Sequence, residues 1–241
     1  MIKHCFIVTS AINSKFGVFN PEQRLQQTVE TIASIRKFVP ESKIIVMECC
    51  GTPITRAQAD ILSQNADMFR DYSQDADVQA LYDNDNWDVV KNGTEIMCFG
   101  KLLVYLHENQ ILTDVLKVDR IHKMSGRYVL NSEFDHATYE DPAVIDRIVI
   151  GPKYKSQFPI EVTTVPLQYM ARLWSWPVAL TPEVIQVYQD SFVFFAERLA
   201  AGGYVDIEHV LYKFLPESLV KELPSLCVEG QIAPNGSPIK N

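Results

Sequence analysis

Hydrophobic and polar positions alternate between two periods along this chain. Cys5 to Val8 is a short apolar run that stops at Thr9-Ser10, the pattern of a buried strand ending in a polar loop. Asn20-Pro21-Glu22-Gln23 then supplies an N-cap, a first-turn proline and a capping-box glutamine. Leu25, Val29, Ile32, Ile35 and Phe38 follow at helical spacing until Pro40 stops the run. Lys43 to Glu48 predicts a second buried strand, Pro53 to Asn65 a helix with Ala57, Ile61 and Leu62 inward, and Met68 to Tyr72 a third strand. Strand, helix, strand, helix, strand implies parallel strands joined by right-handed crossovers.

Ser73 to Asn92 is polar and carries Asp75, Asp77, Asp83, Asp85 and Asp88, so a mobile loop or a short irregular helix is expected there. Thr94 to Glu108 returns to helical spacing through Ile96, Phe99, Leu103 and Leu106. Val118 to Leu130 predicts one or two strands, and Asp146–Ile150 and Glu161–Val165 further short ones. Thr181-Pro182-Glu183 opens a long helix that Gly202-Gly203 ends, and Asp206 to Leu215 reads as another capped helix before Pro216. Gly236 to Asn241 has the character of a frayed tail. With no linker or repeat, the expectation is one α/β domain over 1–241 around a mostly parallel sheet. Ligands of such sheets sit beyond the carboxyl ends of the strands, here Thr9-Ser10, Glu48-Cys49, Tyr72-Ser73 and the residues around Asn131.

Composition narrows the function. At 241 residues and 47% hydrophobic, the chain has material for one large core. Its formal net charge of -8 argues against general nucleic-acid binding, so any bound phosphate must meet a local cationic pocket. Five cysteines, an odd number without CxxC spacing, point to free thiols in a reducing compartment. The apolar start is too short for a signal peptide or a membrane span, so a soluble cytoplasmic protein is expected. Thr9 to Gly17 carries neither GxGxxG nor a P-loop, which lowers NAD enzymes and P-loop kinases.

Lys123-Met-Ser-Gly-Arg-Tyr-Val-Leu-Asn131 is the most informative stretch. Lys123, Ser125, Arg127, Tyr128 and Asn131 set two cations, two hydroxyls and an amide around Gly126, a composition suited to an anion. Lys101, inside a helix, reads either as a third cation at the same anion or as a solvated residue. Thr9, Ser10 and Asn13 follow the first strand and suit a base or ribose, or else a turn. Arg24 belongs either to an exposed helix face or to an anion contact near a helix N-terminus. Glu48 ends an apolar strand, where a carboxylate binds a ribose hydroxyl or pairs with an arginine. Trp174 and Trp176 share a face in an extended segment, as a core pair or a sugar platform. Asp206, Glu208 and His209 at a helix start are the candidates for taking an acceptor proton, although Asp206 also makes a good N-cap. Glu133 and Asp135 only weakly imitate the Asp-x-Asp that holds a divalent metal against a diphosphate.

Lys-x-Ser-Gly-Arg-Tyr-x-Leu-Asn at 123–131 resembles a motif of glycosyltransferase-like proteins from bacterial surface-polysaccharide clusters and large tailed phages. Arg24-Leu-x-Gln-Thr28, Arg172-Leu-Trp-Ser-Trp176, Ile207-Glu-His209 and Gly230-Gln-Ile-Ala-Pro-Asn-Gly236 carry the resemblance across the chain. It implies a Rossmann-like, GT-A-type three-layer sandwich with a nucleotide-binding half at 1–115 and a donor-sugar and acceptor half at 116–241. It further implies a transferase moving a sugar from a nucleotide-diphosphate sugar to a glycan or other hydroxyl acceptor, or to a modified DNA base if the chain is phage-encoded and works in host cytoplasm. Arg24, Arg172, Glu208 and His209 gain weight from it. Mn or Mg dependence stays open, because Lys123 and Arg127 offer the charge a metal would bring. Two rivals stand beside this expectation: a non-catalytic glycan- or nucleotide-binding protein on the same scaffold, and a glycoside hydrolase, which needs no cations for a neutral glycan.

Overall fold

In the computed structural model, which describes residues 2–232 and 236–240, strand β1 (His4–Ser10) is buried along its whole length. Its side chains divide between two cores, Cys5 and Ile7 on one face and Phe6 and Val8 on the other. A strand apolar on both faces belongs in the middle of a covered sheet.

Helix α1 (Pro21–Phe38) starts at the Asn20–Gln23 capping box, and β2 (Lys43–Glu48), α2 (Arg56–Asn65) and β3 (Met68–Asp71) complete two parallel crossovers. Helix α2 begins at Arg56 instead of Pro53 because a second capping box, Thr55 with Gln58, fixes its first turn. The polar segment expected as a loop is largely helical. Asp75 caps α3 (Ala76–Tyr82), and Asn86, accepting from the amides of Asp88 and Val89, starts α4 (Trp87–Glu108) well ahead of Thr94.

The second half adds β4 (Arg120–Ser125), β5 (Tyr128–Leu130), β6 (Ile148–Ile150), β7 (Tyr154–Lys155), α5 (Ile160–Thr163), β8 (Leu167–Gln168) and β9 (Leu173–Pro177). Helices α6 (Thr181–Ala200) and α7 (Ile207–Phe214) precede β10 (Val220–Glu222), β11 (Val228–Gln231) and β12 (Pro238–Lys240). The strand expected at 161–165 is the short helix α5, closed by Thr164 at φ 57. A five-residue apolar and polar alternation does not separate strand from helix without a partner strand. The tail expected to fray is β12, paired antiparallel to β11. Ala233, Pro234, Asn235 and Asn241 lie outside the described residues.

The main sheet has the order β10-β6-β9-β4-β1-β2-β3, parallel except where β9 runs antiparallel to β4 and β6. Helix α1 covers one face, and α4 with α6 covers the other. This is the expected Rossmann-like three-layer α/β fold. From β1 the chain winds outward through β2 and β3, then returns to place β4 on the other side of β1. The carboxyl ends of β1 and β4 therefore flank a topological switch point, where open α/β sheets form their crevice. No helix among the described residues is long and apolar enough to cross a membrane.

Candidate functional site

Thr9 pairs in register with Ser125, so the polar ends of β1 and β4 lie side by side at the crevice. The turn after Ser125 presses on β1. The Gly126 amide donates to the Thr9 carbonyl at 2.8 Å, and a Cβ on Gly126 would sit 2.9 Å from that carbonyl oxygen and 3.0 Å from Thr28 Oγ1. Glycine is required by close approach, not to bind an anion, and the turn it permits sets Arg127 at the crevice.

Two adjoining clefts open there. The inner one, about 60 Å³, is walled by Phe16, Tyr82, Trp87 and Cys50 and reaches Thr9, Ser10 and Arg24. The outer one, about 230 Å³, is lined by Arg172, Tyr128, Gln157, Tyr204, Asp206 and Glu208. Trp87, Lys91, Glu95, Ser125 and Arg127 border both. Together they approach the lower end of the roughly 300–1,000 Å³ of small-molecule sites.

The charges in this crevice are of two kinds. Lys123, 1% exposed, spends all three donors on protein: Glu95 Oε1 at 2.6 Å, Ser125 Oγ at 2.9 Å and the Ala171 carbonyl at 3.0 Å. Thr9 Oγ1 donates to the same Glu95 oxygen at 3.3 Å. Burial opposes ionisation of Glu95, but the Lys123 charge and hydrogen bond, helped by Lys91 and Arg127, hold its carboxyl below the usual range. By contrast, the side-chain cations of Lys91, Arg127 and Arg172 have no hydrogen bond or ion pair among the described residues. They rest against rings instead, Lys91 5.8 Å from the Trp87 centroid, and Arg127 and Arg172 each 5.7 Å from that of Tyr128. The Arg127 Nε is buried without any partner.

Glu208, in the first turn of α7, faces the outer cleft. Burial, reinforced by Asp206, pushes its carboxyl up to about 7, against the pull of Lys91. A carboxyl titrating near neutrality accepts or releases a proton readily there. Asp206 also lines the cleft while capping α7, its Oδ1 accepting from the His209 amide at 3.0 Å.

Several expected roles are corrected by this geometry. Lys123 lies at the floor of the outer cleft, but its three donors are taken by Glu95, Ser125 and Ala171, so it stands there as half of a neutralised pair and not as a free cation. Lys101 points elsewhere, ion-paired to Asp75 at 2.8 Å and Asp77 at 2.7 Å. Arg24 is buried and donates to the carbonyls of Ala11, Phe16 and Phe19, ordering the loop after β1 at the edge of the inner cleft. Glu48 is fully buried and pairs with no arginine. It accepts from Ser10 Oγ at 2.6 Å and from the amides of Cys50 and Ile12, and burial lifts its carboxyl to about 7. Asn13 bonds the Pro53 carbonyl and Gln58.

Trp174 and Trp176 are core residues, 1% and 0% exposed with centroids 4.6 Å apart, so they form no sugar platform. Their strand β9 is central in the sheet, and both rings point under α4 and α6. His209 is buried between Ser156 Oγ, 2.8 Å, and Asp206 Oδ1, 2.5 Å, and does not reach the cleft wall. Asn131 accepts from the Glu133 amide beyond the crevice. Glu133 pairs with Lys240, and Asp135 caps a short helix by accepting from Ala137. Among the described residues no group of three or more His, Cys, Asp or Glu is arranged to hold a metal.

Trp87 and Lys91 were missed because Ser73 to Asn92 was expected to be a loop, and Glu95 because the helix from Thr94 was read only for its apolar stripe. A signal was present: the three recur at i, i+4 and i+8, one face of a helix.

No protein-family model matches the chain, and no curated protein matches it. Among solved structures, similarity is found to the 4-diphosphocytidyl-2C-methyl-D-erythritol synthase of Anaerococcus prevotii, at 11% identity over 91% of this chain and 86% of that one, TM-score 0.45. It is also found to a core-mannan synthase of Aspergillus fumigatus in its Mn/GDP form, at 9% identity over 91% of this chain and 72% of that one, TM-score 0.46.

Proposed function

We propose that the protein is a nucleotide-sugar-dependent transferase, a glycosyltransferase that moves the sugar of a nucleotide-diphosphate donor to an acceptor hydroxyl. The observation that carries this reading is the set of three unpaired cations, Lys91, Arg127 and Arg172, converging at the switch point of a chain whose net charge is -8. A neutral glycan asks for no such cluster, whereas a diphosphate does. The flat walls of the inner cleft, Phe16, Tyr82 and Trp87, suit the faces of a base. The outer cleft, with Gln157, Tyr204 and Glu208, suits a hexose.

In the reaction, the bond from the anomeric carbon to the diphosphate oxygen breaks as the acceptor oxygen bonds that carbon. Glu208 takes the acceptor proton, and the guanidinium groups of Arg127 and Arg172 meet the charge growing on the leaving diphosphate. A divalent ion bound with the donor would add positive charge at the same oxygens.

A thermal-shift panel of nucleotide-diphosphate sugars, with and without Mn²⁺, tests the reading, because a bound donor raises the melting temperature by mass action. Arg127→Ala should weaken donor binding about ten- to a hundredfold, the worth of hydrogen bonds to a charged group. Its unfolding midpoint should change little, since this guanidinium makes no hydrogen bond to a described residue and only rests 5.7 Å from the Tyr128 ring centroid. Unaltered donor affinity in a calorimetric titration of that variant would remove Arg127 from the diphosphate site.

A further inference from the structure

Glu95 has a position that none of the roles above uses. It projects from α4 to the junction of the two clefts and borders both. One oxygen, Oε1, is held from beneath by Lys123 and Thr9. The other, Oε2, has no hydrogen-bond partner among the described residues, while the side chain is 15% exposed. The carboxylate is thus fixed by one atom and open at the other.

Lys123 also makes this placement tolerable beside an anion. The buried ammonium cancels the formal charge of Glu95, so the pair as a whole does not repel phosphate held by Lys91 and Arg127. What remains exposed is an acceptor with no proton to give, and only a ligand group that donates satisfies it.

The covalent order of a nucleotide says which group that is. A base in the inner cleft and a diphosphate at the cations leave the pentose between them, at the junction. The donors of a pentose are its hydroxyls. We propose, on the footing of the nucleotide-sugar reading, that Glu95 accepts a ribose hydroxyl and selects ribonucleotides over deoxyribonucleotides.

The experiment is isothermal titration of the native protein with the ribonucleoside diphosphates of the four common bases and with their 2′-deoxy and 3′-deoxy counterparts. The base that binds should do so about ten- to a hundredfold more tightly in its ribo form than in at least one deoxy form. Equal affinity for all three sugars overturns the proposal.

Glu95→Leu combined with Lys123→Met removes both charges together, which avoids stranding a buried ammonium. This double variant, checked for cooperative urea unfolding, should bind ribo and deoxy forms alike. Persistent discrimination in the folded variant also overturns the role of Glu95. Binding of a deoxy form alone likewise overturns the role of Glu95, whereas if none of the ribo or deoxy diphosphates binds the native protein, the nucleotide-sugar reading itself falls, an outcome distinct from binding without discrimination.

Discussion

At the scale of single residues, charge alone did not decide which groups face a ligand. Lys123 and Arg127 are four apart in one motif, yet the first is saturated by Glu95, Ser125 and Ala171 and the second has a buried donor without a partner. Asp206, Glu208 and His209 divide in the same way: Asp206 caps the helix, His209 is locked behind it, and Glu208 lines the outer cleft. On the proposed transferase reading, Glu208→Gln should lower the transfer rate about 10²- to 10⁴-fold, the usual contribution of a general base, with donor affinity little changed. In the native protein that rate should rise as pH climbs through about 7, where the Glu208 carboxyl loses its proton, and level off above it. A rate independent of pH between 5 and 8, or full activity in the glutamine variant, would assign the proton transfer to another group. The motif at 123–131 was thus legible as a place in the fold, but the direction of each side chain was not. It depends on which face of β4 meets α4.

Elements carry the next level of control. The loop after β1 and the start of α4 meet over the inner cleft, where Phe16 and Trp87 touch edge to face at 5.6 Å. Lys15 ties the same loop to the end of α3 through the carbonyls of Tyr82 and Asn84. The space beneath, about 60 Å³, has room for a few waters and not for a base, so the proposed nucleotide site requires this clasp to part first. Phe16→Ala should speed nucleotide association several-fold. Trp87 fluorescence can follow it, because Trp174 and Trp176 are sealed in the core. An association rate unchanged by the substitution would show that the clasp does not gate entry. Helix α4 is also the element least visible beforehand. Its first turns are polar because they line a cleft, and sequence patterns register such a stretch as loop. Helices α1 and α7 were legible because each buries an apolar stripe and opens with a side-chain cap.

For the whole molecule, burial of two carboxyls and two imidazoles shapes the response to pH. Glu48 and Glu208 both titrate near 7 in the folded state, against about 4.5 for an unperturbed glutamate. At these two sites the folded protein holds protons that the unfolded chain has released, a contribution to stability that falls as pH rises from about 4.5 through 7. Burial holds the His4 and His122 imidazoles below their usual range, which works the opposite way up to about 6.5, so the net fall should show above that pH. A single such proton contributes a slope of up to about 1.4 kcal/mol per pH unit. Glu208→Gln should flatten the part due to Glu208, seen as a gain in urea midpoint over the native protein at pH 8 that disappears at pH 4.5. An identical pH dependence in the two proteins would mean that Glu208 ionises freely in the fold.

The sequence by itself determined the layers, since period and capping are local: apolar runs made β1 and β2 central, and helical stripes covered them. It also placed the ligand crevice at the carboxyl ends of the strands, as in open α/β sheets generally, whereas the strand order that puts a switch point between β1 and β4 came from the tertiary structure. Tertiary structure decided which polar groups that crevice presents. It buried Lys123 against Glu95, hid Trp174 and Trp176, and turned Lys101 away. It brought Lys91, Arg127 and Arg172 together from three distant segments, because convergence across a sheet depends on register and packing, and neither is written in the spacing of any one segment.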